Sequence, residues 1–214
     1  MEATIVREYG PFEGIDKIGG LTYDGERVWF AVGDRIVALD PNTGAIVRTL
    51  DVPGHAGTAF DGKHLYQVVE DRIQKVDPAS GRVLATIPSP GKGGDSGLAW
   101  AEGSLWVGHY RERKIYQIDP GTGAILRTVV SNRFVTGVTW VEGELWHATW
   151  EGEQSELRRV GPGTGEVLAS VDLPEGVFVS GLESDGKDRF YCASADSGKV
   201  RAVRRPGKPA VTER

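Results

Sequence analysis

The chain has 214 residues, with 30 Asp and Glu against 25 Lys and Arg, for a net charge of −5. That balance excludes the basic stripe of a general nucleic-acid binder, and no stretch approaches the roughly twenty apolar residues of a membrane span. The amino terminus, MEATIVREYG, has neither a basic n-region nor an apolar h-region, so a soluble, cytoplasmic monomer is expected. The one cysteine, Cys192, has no partner for an intramolecular disulfide and reads as a reduced structural thiol.

Along the chain, the first predicted strand is Thr4–Arg7, and five repeats follow it. Their opening glycines head GLTYDG at Gly20, GTAFDG at Gly57, GLAWAEG at Gly97, GVTWVEG at Gly137 and GLESDG at Gly181, in steps of 37, 40, 40 and 44 residues. Nine residues beyond the first four glycines stand Trp29, Tyr66, Trp106 and Trp146, with Tyr191 at plus ten in the last. Next comes a phrase of the shape D-P-x-T-G, at Asp40–Gly44, Asp77–Gly81 and Asp119–Gly123, with a weaker fourth at Gly161–Gly165.

Within the first repeat, four strands are predicted at Leu21–Tyr23, Arg27–Val32, Arg35–Leu39 and Ala45–Asp51, rich in β-branched and aromatic residues and joined by D-G, E-G or T-G turns. No segment carries a 3.6-residue apolar period, so no helix is expected. A period of about forty residues built of short strands and turns is the signature of a β-propeller with one blade per repeat. The reading is therefore an all-β, five-bladed propeller of four-stranded antiparallel blades. The blades cover about 20–52, 57–88, 97–131, 137–173 and 181–205, the last completed by residues 3–9, and 206–214 forms a flexible tail. Thr4-Ile5-Val6-Arg7 matches Ala45-Ile46-Val47-Arg48, so the amino-terminal strand should supply the fourth strand that the last repeat lacks and close the ring.

Aromatics that recur in register read as packing between blades: Tyr23, Phe60, Trp100 and Trp140 on the innermost strands, and Trp29, Tyr66, Trp106, Trp146 and Tyr191 on the second. Function is sought among residues that break the repeat on the rim where connections vary in length. Trp150 is the one tryptophan outside the shared positions. Tyr110 and Arg111 stand at its place in the third repeat, and Ser96, Phe134, Thr136, Phe178 and Ser180 enter on the blade-to-blade connections. A rim pocket with aromatic walls and a few polar groups fits a small molecule or a peptide amino terminus. Candidate general acids and bases are His55, Glu70, Asp95 and His109. His55, Asp95 and His109 together are the residue types of a divalent-metal site, but they lack local ligand spacing, so no cofactor is assigned. His147 is expected to be an interior, hydrogen-bonded histidine, and His64 to face solvent.

With those rim residues in place, the chain resembles the five-bladed glutaminyl cyclases (glutamine cyclotransferases) of plant and bacterial type. Leu65-Tyr66-Gln67-Val68-Val69 is similar to that family's L-Y-Q-L-T, and Leu145-Trp146-His147-Ala148-Thr149-Trp150 to its I-Y-A-N-V-W. Val179-Ser180-Gly181-Leu182 lies at its L-N-G-I. The resemblance implies the same closed propeller. It also implies a glutamate before Gly57, a glutamine before Gly20 and an asparagine at 148, where this chain has Ala56, Gly19 and Ala148. Trp150 matches the family, while Glu70 stands where the family has tryptophan. Since alanine and glycine move no protons, the expected function is binding at the central mouth without cyclase activity. The alternative is a cyclase-like or lyase-like enzyme with a rebuilt His/carboxylate site.

Overall fold

A computed structural model describes residues 2–207. Of the expected tail, 208–214 lie outside the described residues. There are twenty strands and no helix among them. The first, β1 (Ile5–Tyr9), precedes four complete units. These are β2–β5 (Leu21–Tyr23, Val28–Ala31, Ile36–Leu39, Ile46–Leu50), β6–β9 (Thr58–Phe60, Leu65–Val69, Arg72–Val76, Val83–Pro88), β10–β13 (Asp95–Ala101, Ser104–His109, Lys114–Ile118, Ile125–Val130) and β14–β17 (Val135–Val141, Glu144–Glu151, Gln154–Val160, Val167–Asp172). The last unit has three strands of its own, β18 (Val179–Ser184), β19 (Arg189–Ser194) and β20 (Val200–Arg204). Each unit is one antiparallel sheet, and the fifth runs β1-β20-β19-β18. The expected closure is thus present: β1 pairs with β20 from Ile5 opposite Val203 to Tyr9 opposite Val200, and Glu8 binds Arg201 at 2.6 Å.

The core is five apolar wedges, one between each pair of neighbouring blades, because a four-stranded sheet that buries both faces must find a partner on each side. The recurring aromatics fill these seams. Tyr66 stacks on Trp100 at 5.5 Å, Trp106 on Trp140 at 5.1 Å, and Tyr191 meets Tyr23 at 5.4 Å, each pair joining two blades. Such pairs contribute about 0.5–1.5 kcal/mol each beyond the area they bury. The D-P-x-T-G phrases are turns in which the aspartate accepts from backbone: Asp40 Oδ1 takes the Asn42 N–H at 2.8 Å, and Gly44, at φ 80°, returns its N–H to the Asp40 carbonyl.

The opening glycines are the hub. A Cβ on Gly57 would fall within 2.8 Å of backbone and side chain of Gly97 and Leu98, one on Gly97 would lie 2.6 Å from Val138 N, and one on Gly137 2.6 Å from Leu182 N. Gly181 faces Gly20 in the same way, and Gly20 faces Gly57, so the contacts run once around the axis. None of the five has a positive φ. They are glycines because five backbones meet there, not because a turn needs them.

Candidate functional site

Inner-strand positions sort by their place relative to this glycine column. The residues just before the glycines, Gly19, Ala56, Ser96, Thr136 and Ser180, floor a cavity of about 470 Å³ at one mouth of the ring. The cavity reaches neither the glycine column nor the residues beyond it. Ser96 and Ser180 donate their hydroxyls to the carbonyls of Val135 and Ile18 in the next blade, each at 2.6 Å. The Thr136 Oγ1 is buried with no partner.

The ends of the second strands make the walls. In successive blades that position holds Gly33, Glu70, Tyr110, Trp150 and Ala195. Tyr110 and Trp150 wall the cavity on one side, and Gly33 and Ala195 leave room on the other. Trp150 stands high because the extra residues of the fourth repeat lengthen β15 and β16 into a tall hairpin. Its ring is fixed by Phe178 at 5.0 Å and by Nε1 donating to the Gly152 carbonyl at 2.9 Å. Lys17 and His55 border the cavity on the side of the first two blades. Both are exposed, and neither side chain has a hydrogen bond or ion pair among the described residues; the His55 backbone N–H donates to the Val68 carbonyl at 3.2 Å.

Of the binding residues expected from sequence, Ser96, Tyr110, Thr136, Trp150, Phe178 and Ser180 converge on the cavity. Phe134 stands behind it, stacked on Tyr110 at 4.6 Å with the Arg113 guanidinium 4.4 Å above its ring. Arg111 is exposed and does not border the cavity.

The acid–base candidates divide differently. Glu70 sits at φ 54° in the two-residue turn after β7, with its carboxylate 3.5 Å from Arg72 in solvent and outside the cavity. Asp95 borders the cavity but is spent on the connection before it. Its Oδ2 accepts from the Ser89 hydroxyl and from the Gly91 N–H at 3.2 Å, and Oδ1 is buried without a partner. Burial raises its pKa, against the lowering pull of the Ser89 and Gly91 donors. His109 is buried beneath the same connection: Nδ1 accepts the Glu112 N–H at 3.1 Å, leaving Nε2 to face the Gly91 carbonyl at 3.3 Å. A Cβ on Gly94 would overlap this ring, so the glycines of Gly91–Gly94 let the loop close over Asp95 and His109. Among the described residues no three His, Cys, Asp or Glu side chains gather as a metal requires, so His55, Asp95 and His109 do not form the metal set their types allow.

Two further histidines complete the inventory. His147 is buried, with Nδ1 on the Ala148 carbonyl at 3.3 Å and Nε2 unpartnered, and burial pushes its pKa down to about 4. His64 is not free in solvent as expected. It is half-buried, and Asp61 binds its ring at 3.2 Å and its backbone N–H, as a turn cap. Cys192 is buried, and desolvation pushes the thiol up to about 12, as an inert structural thiol requires.

Gln67 is a clamp: Thr58 donates to its Oε1 at 2.7 Å, and its Nε2 lies 2.9 Å from the Ala56 carbonyl and 3.0 Å from that of Val68. At Gly19 a Cβ would stand 2.5 Å from the His55 carbonyl oxygen and 2.9 Å from its carbon. No side chain, glutamine included, fits there without moving the second blade's backbone.

On the far side of the glycine column, two residues past each glycine, stand Thr22, Ala59, Ala99, Thr139 and Glu183. Glu183 stands apart in this column, outside the cavity and away from the variable rim. Its side chain is half-buried, and its carboxyl is held between neighbouring blades. The Thr22 hydroxyl donates to Oε2 at 2.8 Å, the Thr139 hydroxyl to Oε1, and the Ser184 N–H to Oε1 at 2.8 Å. Burial pushes its pKa up to about 7 despite these donors. The sequence signal was the column itself, where one glutamate stands among threonines and alanines.

These features define a five-bladed β-propeller with an aromatic-walled mouth. No protein-family model and no curated protein matches the sequence. Among solved structures the chain is similar to glutaminyl cyclase of Myxococcus xanthus, with a TM-score of 0.72 at 19% identity, covering 94% of this chain and 95% of that one. It is also similar to the WD40 repeats of RRP9, at 0.60 and 11% over 95% and 99% of the two chains. Virginiamycin B lyase from Staphylococcus aureus matches at 0.50 and 15% over 88% and 66%. The expected likeness to glutaminyl cyclase is thus present at the level of fold, and at these identities fold is what the likeness establishes.

Proposed function

We propose that the chain binds a small molecule in its mouth and does not cyclise amino-terminal glutamine. The observation that carries this reading is the cavity itself, of about 470 Å³, walled by Tyr110 and Trp150, whose one bordering carboxylate, Asp95, is tied through Oδ2 to Ser89 and Gly91 of the connection before it. Its volume suits a small ligand, and its lining has the apolar majority of such sites. Cyclisation needs a group that moves protons at the reacting amide. Where the resemblance implies glutamate and glutamine this chain has Ala56 and Gly19, and the blade-to-blade backbone approach fills the space a side chain at 19 would need. A rebuilt enzyme is the second reading, and the uncommitted imidazole of His55 at the rim is what favours it.

An assay with an amino-terminal glutaminyl peptide separates the two. No turnover above the uncatalysed rate is expected. Turnover lost on His55→Ala would establish the enzyme instead.

A further inference from the structure

The mouth is not symmetric around the axis, and its asymmetry describes the ligand. Over the third to fifth blades it is aromatic, with Tyr110 backed by Phe134 and Trp150 braced by Phe178. Over the first and second it is small and basic: Gly19, Gly33 and Ala56 provide space, and Lys17 and His55 stand at its border as hydrogen-bond donors without partners. No uncommitted carboxylate faces them. Asp95 is held by Ser89 and Gly91, Glu151 by Arg113 at 2.7 Å, and Glu156 by Arg133 at 2.7 Å; neither glutamate borders the cavity, nor does Asp16, the neighbour of Lys17. An ammonium entering this mouth would meet Lys17, and the one bordering carboxylate, Asp95, is buried and held by Ser89 and Gly91. A carboxylate would meet an ammonium and an imidazole whose donors are unused.

Building on the small-molecule reading, we propose that the ligand is a small organic carboxylate with a flat apolar body. Its body lies against Trp150 and Tyr110, and its anionic end faces Lys17 and His55. An amino-terminal peptide end, the ligand class of opposite charge, is the competing occupant.

A matched set of probes tests this: 3-phenylpropanoate, its primary amide, and 3-phenylpropylamine, titrated calorimetrically at millimolar concentrations and low salt. The carboxylate is expected to bind roughly tenfold more tightly than the amide, with the amine weakest. Lys17→Met should erase the preference of carboxylate over amide, and Trp150→Ala should weaken all three probes. Lys17 is exposed, so its loss does not endanger folding. Equal binding of the three, or preference for the amine, overturns the charge assignment while leaving the mouth a binding site. Absence of binding by any of them overturns both.

Discussion

Thr136 and Thr139 lie on one strand on either side of Gly137 and meet different surroundings. Thr136 faces the mouth level, where neighbouring blades contribute glycine, alanine and serine and the space above is open. Thr139 faces the opposite level, where Glu183 draws its hydroxyl and that of Thr22 into one network spanning three blades. The same alternation of side chains along the same strands therefore yields a cavity on one side of the glycine column and a hydrogen-bonded carboxyl on the other. The difference is set by which residue stands in the fifth blade, Ser180 before the glycine or Glu183 after it. Changes at Glu183 should be read out in stability, and changes at the mouth in binding.

Three perturbations sharpen that contrast, beginning with the largest. The comparison presupposes a closed ring, and removal of residues 1–9 strips the outer strand from the fifth blade and exposes the β20 edge. Thermal unfolding should drop steeply and aggregation appear; an unchanged transition would show that β1 closes nothing. Gly97→Ala comes next, because the added Cβ would meet Val138 N at 2.6 Å in a hub with no slack. The cost should be about 3 kcal/mol or more in denaturant unfolding. Gly163→Ala, where a Cβ meets nothing, should stay within about 0.5 kcal/mol. Equal costs would remove the hub from the account.

The third perturbation is Glu183→Gln, which keeps the shape of the protonated side chain. A carboxyl whose pKa rises from 4.5 unfolded to about 7 folded supports the fold fully below the lower value, and that support is lost as pH rises through the higher one. The variant should therefore be more stable than the parent at pH 8, by up to about 3 kcal/mol, with the gap closing toward pH 4.5. His147 runs the other way over a similar window, since its pKa is lowered to about 4 and its support is lost as pH falls. For that reason the parent-minus-variant difference, rather than the parent's own profile, isolates Glu183. A difference that does not change with pH would place the carboxyl in solvent.

The fold was legible because its determinants are local and repeated. The turn at Asp40–Gly44 is written in its own residues, and the matching of Thr4–Arg7 to Ala45–Arg48 forecast the closure of the fifth blade. The opening glycines were legible as markers but not as a hub, since four of their contacts join residues about forty apart and the fifth, Gly181 to Gly20, spans nearly the whole chain. At the mouth, subtracting the repeat brought out Tyr110 and Trp150, whose neighbours in register are glycine, glutamate and alanine. The same procedure misjudged chemistry: Asp95, His109 and Glu70 all lie near the rim, but a carboxylate's availability depends on which loop donors reach it. Ser89 and Gly91 reach Asp95 only because the connection folds back. Glu183 was overlooked because the search followed length variation, and its repeat position varies in chemistry alone.

The most direct test of the mouth as the binding site uses its lone tryptophan. The chain has six tryptophans, and only Trp150 borders the cavity; the others pack in the blades. In a heteronuclear correlation spectrum with labelled indole nitrogens, titration with 3-phenylpropanoate should shift chiefly one of the indole signals, the one that disappears in Trp150→Phe. A spectrum in which that signal stays fixed at saturating ligand, or in which the buried indoles shift instead, would contradict the account.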